Sequence, residues 1–152
     1  MEDLTAHRVR PAGERPPAPA GDSVTLDHES RQVRRRRLRT DGGRLLFVDL
    51  AETVALADGD AFETTEGALV LVRAAREPLV EVLADDARHL ARLAWHIGNR
   101  HLPVEVQEGR LLILRDHVIE AMLVGLGARV AHVEESFEPE GGAYGGHGHG
   151  HG

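Results

Sequence analysis

Between residue 22 and about residue 76, short apolar runs alternate with turn signals. Residues 24–26, 45–50, 54–57 and 69–72 are apolar, and Asp41-Gly42, Asp58-Gly59 and Glu66-Gly67 fall between them. Acidic–glycine pairs suit turns that need positive φ, and the spacing is that of consecutive hairpins. No helical period runs through this half. The pattern predicts a β-meander folded into a small sandwich or open barrel, with a further strand near residues 5–10. Residues 11–21, PAGERPPAPAG, hold four of the seven prolines and predict a loop or stiff linker.

The pattern changes at Pro78. Residues 79–83 read as a strand. Asp85 or Asp86 can cap a helix whose apolar positions Ala87, Leu90, Ala91, Ala94 and Ile97 recur at helical spacing. Gly98-Asn99 supplies a left-handed stop, and Pro103 blocks continuation. Residues 104–106 begin a hairpin that turns at Glu108-Gly109 into a strand over 110–114. Asp116 caps a second helix with a stripe of Val118, Ile119, Met122, Leu123 and Leu126, ended by Gly127. Residues 128–133 form a last strand. The order β-α-β-β-α-β predicts a ferredoxin-like unit, two helices on one face of an antiparallel sheet.

The fold class expected is therefore α+β. Residues 1–76 are expected to form a β-rich N-terminal domain, 77–136 a ferredoxin-like domain and 137–152 a flexible His/Gly-rich tail. From Gly141 onward the tail has seven glycines and no apolar period.

Composition narrows the chemistry. The 152 residues carry no cysteine, which excludes disulfides, thiolate nucleophiles and thiolate metal sites. All eighteen basic residues are arginine, so Schiff-base and Walker-type lysine chemistry is excluded as well. No apolar stretch approaches the ~20 residues of a membrane helix, and the first twenty residues lack a signal-peptide core. A soluble, cytoplasmic protein is expected. HExxH, GxSxG and phosphate-loop motifs are absent, and no carboxylate pair has the spacing of acid–base partners, so no enzyme is expected.

Histidine is the residue in excess, with ten copies. His147, His149 and His151 alternate with glycine in the tail; imidazole suits nickel, copper and zinc. In WHIGNRHLP, His96 falls in the last helical turn and His101 just beyond it. Spacing alone leaves two readings. His96 can serve the helix dipole and His101 be an ordinary surface residue; or His101 meets its own copy across a two-fold axis and the two imidazoles share a metal. His117, beside the cap Asp116, is a further candidate ligand. His7, His28, His89 and His132 read as surface or structural.

The segment His96-Ile97-Gly98-Asn99-Arg100-His101-Leu102-Pro103 resembles the HxGNRHxP signature of the urease accessory protein UreE family. Asp116-His117-Val118-Ile119-Glu120-Ala121-Met122-Leu123, with Gly125-Leu126-Gly127 after it, and the histidine-rich C-terminus are similar too. The resemblance runs from about residue 22 to the end. It implies a homodimeric nickel metallochaperone that hands Ni(II) to urease, with Zn(II) or Cu(II) as other occupants of the same site. It implies that His101 is the primary ligand at the dimer interface, that His147, His149 and His151 add coordination, that His117 is secondary and that His96 is not a primary ligand. The implied partners are the urease accessory GTPase and the apo-urease complex. Three tail histidines are fewer than in long-tailed members, which argues for delivery over storage.

Two rival readings remain beside it. One is a zinc- or nickel-dependent binding module with no urease role. The other is nucleic-acid binding through residues 31–39, which hold six arginines. That run has no aromatic neighbours for base stacking, and the chain's net charge is −7, so nucleic acid is not the expected partner. An exposed strand that docks onto an acidic protein accounts for it more simply.

Overall fold

The structure, a computed structural model, describes residues 3–14 and 21–141. It divides after Ala75 into two compact units, and the chain is a two-domain α+β protein. Among the described residues, no helix is long and apolar enough to cross a membrane.

The first unit contains β1 (Leu4–Arg10), β2 (Asp22–Leu26), β3 (Gln32–Arg39), β4 (Leu45–Ala55), β5 (Ala61–Thr64) and β6 (Leu69–Ala74). They make one six-stranded sheet in the order β2-β6-β5-β1-β4-β3. A single curled sheet replaces the two facing sheets of a sandwich. Its concave face gathers Leu4, Ala6, Val24, Leu26, Leu38, Leu46, Val48, Phe62, Val70 and Val72 into one core drawn from all six strands. The meander expectation is corrected. β3–β4 and β5–β6 are hairpins, but β1 inserts between β4 and β5 and runs parallel to β4, with Leu4 opposite Leu46. β2 likewise pairs parallel to β6. Residues 54–55, expected in a separate strand, continue β4.

Turn chemistry follows the sequence closely. Gly59 and Gly67 take positive φ as expected, while at the β3–β4 turn the left-handed residue is Gly43. Gly42 serves a different need: a Cβ there would lie 2.8 Å from Asp22 Oδ2. Gly42 N donates to that carboxylate, as do Ser23 N and Arg44 Nε. The proline-rich segment begins with a 3-10 turn at Ala12–Glu14.

The second unit contains β7 (Arg76–Leu83), α1 (Ala87–Asn99), β8 (Val104–Gln107), β9 (Arg110–Leu114), α2 (His117–Gly125) and β10 (Arg129–Ser136). The sheet order is β10-β7-β9-β8, every neighbouring pair antiparallel. This is the element order read from the hydrophobic pattern. On one face Val80, Val82, Leu111 and Ile113 pack with Leu93 and Ile97 of α1 and Leu123 of α2. Asp86 caps α1 by accepting from His89 N, and Asp116 caps α2 by accepting from Val118 N and Ile119 N.

Three local expectations are corrected here. The buried stripe of α1 runs through Leu90, Leu93, Ala94 and Ile97, while Ala87 and Ala91 face solvent. The i, i+3, i+4, i+7 rule was right, but its phase follows the face that meets the sheet. On α2, Val118 is exposed and Leu123 carries the packing. Finally, the chain does not leave the fold after residue 136. Phe137 is 0% exposed and packs with Leu79 and Leu112 on the sheet face opposite the helices.

Candidate metal centre

The end of α1 is the most unusual backbone in the second unit. The left-handed residue that stops this helix is neither Gly98 nor Asn99. It is His101, at φ 57°, the one non-glycine with positive φ among the described residues. Its N–H donates to Gly98 O at 3.0 Å, and Arg100 N donates to Ile97 O at 3.0 Å, so the last turn tightens before the chain reverses. Ile97 on the helix side and Leu102 beyond it both pack into the core beneath α1, and Pro103 follows. Two apolar anchors thus flank a reversal that glycine normally occupies. A left-handed L-residue costs roughly 1–2 kcal/mol, and such strain concentrates at functional positions.

The His101 side chain is exposed, and among the described residues its imidazole has no hydrogen-bond or ion-pair partner. His96, half-buried in the last turn of α1, sits edge-on to Trp95, with ring centroids 5.1 Å apart at 80°. Trp95 itself is 64% exposed. His117 is the first residue of α2 and is exposed. Among the described residues no three histidine or carboxylate side chains come together in a set that could hold a metal. His96, His101 and His117 therefore do not form one site within a single chain. His147, His149 and His151 lie outside the described residues.

Two other histidines have structural tasks that spacing did not reveal. His89 Nδ1 accepts from Asp85 N at 3.0 Å, which leaves Nε2–H to donate to Leu126 O at 2.8 Å. Both nitrogens are committed to tying the start of α1 to the end of α2. Gly127, at φ 91°, makes room for this ring, since a Cβ there would lie 3.3 Å from His89 Cε1. His132 Nε2 bonds Glu120 Oε1 at 2.8 Å, while the same carboxylate accepts from Asp116 N at 3.0 Å. His7 in the first unit bonds Asp49 O through Nδ1. A histidine whose ring is held by backbone partners is a poor candidate for reversible ligation; His101 is the contrasting case.

Electrostatics add a mild bias. Residues 76–140 carry seven arginines against twelve acidic residues. On the face away from the helices, Arg110 bridges Glu81 and Glu135 at 2.9 and 2.7 Å. The Arg110 guanidinium holds the Glu135 carboxyl below its ordinary range, and the bonds to Glu135 raise the Arg110 pKa in return. In the first unit, β3 is an edge strand with Arg34, Arg35, Arg36, Arg37 and Arg39 all exposed. Arg35 pairs with Asp49 at 3.4 Å and Arg39 donates to Gly43 O.

The described residues thus place an exposed imidazole, His101, at a helix end on a two-domain α+β scaffold. Residues 4–75 match the family described as UreE urease accessory protein, N-terminal domain, and residues 77–152 match its C-terminal domain. The chain is 54% identical over 129 residues to the urease accessory protein UreE of Paracoccus denitrificans (strain Pd 1222), covering 85% of this chain and 80% of that one. It is 51% identical over 149 residues to the UreE of Agrobacterium fabrum (strain C58 / ATCC 33970), covering 96% and 92%. A longer UreE from Bradyrhizobium sp. (strain BTAi1 / ATCC BAA-1182) is 54% identical over 125 residues, covering 82% of this chain and 61% of that protein. The chain belongs to the UreE urease accessory protein family.

Proposed function

We propose that this protein is a cytoplasmic metallochaperone that carries Ni(II) as cargo and yields it during assembly of the urease active site. The ion is held between two copies of the chain, one His101 imidazole from each, with His147, His149 and His151 of the tails completing the shell. His117 is a secondary ligand, and His96 supports the helix end without being a primary one. Zn(II) and Cu(II) are competing occupants of the same imidazole set.

The observation that carries this reading is the state of His101: a strained left-handed backbone that displays an exposed imidazole with no partner among the described residues. The donor set fits a borderline divalent ion, because neutral imidazole is available and thiolate is not. The described residues of one chain provide no three-ligand group, which favours ligands shared with a second copy. Isologous contact supplies it, because a residue near a two-fold axis meets itself. Trp95, 64% exposed six residues before His101, is the apolar side chain such a contact would cover.

Delivery follows from ligand exchange. Imidazole binds only when neutral, so uptake releases protons and acidification favours release. The accessory GTPase and the apo-urease complex are the partners, with the arginine edge β3 of the first unit as the face for an acidic protein surface. Calorimetric Ni(II) titration of the intact chain, His101→Ala and a chain ending at Gly146, alongside sedimentation to read the oligomer, tests the proposal. Loss of the tight site in His101→Ala with the dimer preserved is the expected result. Full affinity in that variant, or a chain that stays monomeric with and without metal, removes the interface site.

A further inference from the structure

We infer that the outer face at the start of α1 is a docking site for an acidic helix of another protein, one that presents two carboxylates a helical turn apart to Arg88 and Arg92. The site is independent of the nickel reading. It lies at the opposite end of α1 from His101, roughly 20 Å along the helix.

The arginines of residues 76–140 are unevenly employed. Arg110 and Arg129 pair with carboxylates. Arg76, Arg100 and Arg115 donate to backbone carbonyls. Arg88 and Arg92 are exposed, and their guanidinium groups have no partner among the described residues. They stand four positions apart on α1, so they are neighbours on one helix face, about 5–6 Å apart at Cβ. In a stretch where acidic residues outnumber basic ones, two adjacent unpaired cations are the exception.

Both arginines line a depression of about 520 Å³ between the start of α1 and the end of α2, which Leu126 and Gly127 also line. Its walls are fixed before any ligand arrives. The His89 ring bonds Asp85 N and Leu126 O and so ties the two helix ends together. A preformed site avoids much of the ordering cost of binding.

The charges around the depression decide what fits. Asp85 is engaged by Arg129 at 2.9 Å, and Asp86 caps α1 by accepting from His89 N. These carboxylates serve the fold, whereas the two arginines do not. A phosphate chain fits poorly, because Asp86 already places negative charge at the helix start where a phosphate would bind. Nucleic acid fits no better, since none of the lining residues is Phe, Tyr or Trp. Guanidinium matches carboxylate in geometry as well as sign, and a partner helix with Glu at i and i+4 repeats the Arg88–Arg92 spacing. Val124, 54% exposed and two residues before Leu126, adds apolar surface at the same end of α2 for an amphipathic helix.

The probe is a fluorescein-labelled, alanine-rich helical peptide with glutamates at i and i+4, read by anisotropy at low salt against the full chain. A peptide of the same composition with its glutamates on opposite faces is expected to bind more weakly. Arg88→Gln with Arg92→Gln is expected to weaken the paired peptide about five-fold, the loss of two exposed ion pairs. The thermal midpoint should not move, because both side chains are exposed. Arg8→Gln with Arg73→Gln removes the same charge from exposed positions of the first unit and should leave the peptide's affinity unchanged. Equal affinity in the parent and the Arg88/Arg92 variant overturns the site, as does equal binding of the two peptides. An equal loss in the Arg8/Arg73 variant reduces the effect to overall charge and also overturns it. So does displacement of the peptide by inorganic phosphate at constant ionic strength, which makes the depression a small-anion site.

Discussion

Replacing His101 with glycine separates the strain at the end of α1 from the chemistry of its side chain. At φ 57° the histidine Cβ crowds the following carbonyl, a cost of about 1–2 kcal/mol that glycine does not bear. Glycine gives back roughly 0.5–1 kcal/mol through its greater freedom in the unfolded chain. Nothing else offsets the difference: the imidazole is exposed and has no partner among the described residues. The metal-free His101→Gly protein should therefore be more stable by about 0.5–1 kcal/mol. For a unit of this size that is a rise of roughly 2–8 °C in midpoint. Thermal and urea unfolding of the apo protein measure it, with His101→Ala as the control that keeps the strain and loses the ring. The same His101→Gly protein should lose the tight Ni(II) site. A glycine variant no more stable than the parent refutes the strain argument; one that retains nickel affinity refutes the functional reason for tolerating the strain.

The other predictions concern the scaffold. Asp116→Ala leaves the N–H groups of Val118 and Ile119 uncapped and should lower stability by about 1 kcal/mol, read in denaturant titrations. Leu93→Ala should cost about 2–5 kcal/mol, because the side chain is fully buried under α1. Ala91→Ser, one turn face away and exposed, should change stability by less than about 0.5 kcal/mol. The Arg110 bridge gives a pH signature. Because the Glu135 carboxyl is depressed in the folded state, its contribution is complete above the ordinary glutamate range near ~4.3 and is lost as pH falls through the lower folded value. Urea midpoints measured from pH 6 downward should fall more steeply for the parent than for Glu135→Gln; parallel curves would show the pair is energetically idle.

Features set by neighbours a few residues apart were legible before any coordinates. Asp116 caps its helix through bonds to residues two and three positions on. Gly59, Gly67, Gly109 and Gly127 take positive φ where the turn chemistry called for glycine. The β-α-β-β-α-β order emerged from periodicity, because each element buries one face. The GNRH segment identified the family before the fold was known.

What escaped is non-local. β1 slots between β4 and β5 through pairings more than forty residues apart, such as Leu4 with Leu46, and no local pattern records such a choice. The phase of α1, with Leu93 inward and Ala91 outward, depends on which side the sheet lies. His89 read only as surface or structural because its partners, the backbone at Asp85 and Leu126, meet only when two helices dock, and the structural role is the one it has. Phe137 stood alone in a Glu-, Pro- and Gly-rich stretch with no period to mark it, and its burial is created by Leu79 and Leu112 from other strands. His101 was visible as a residue but not as a conformation. Its left-handed backbone is held by Ile97 and Leu102 packing on either side of it, and such packing exists only once the helix has found its sheet.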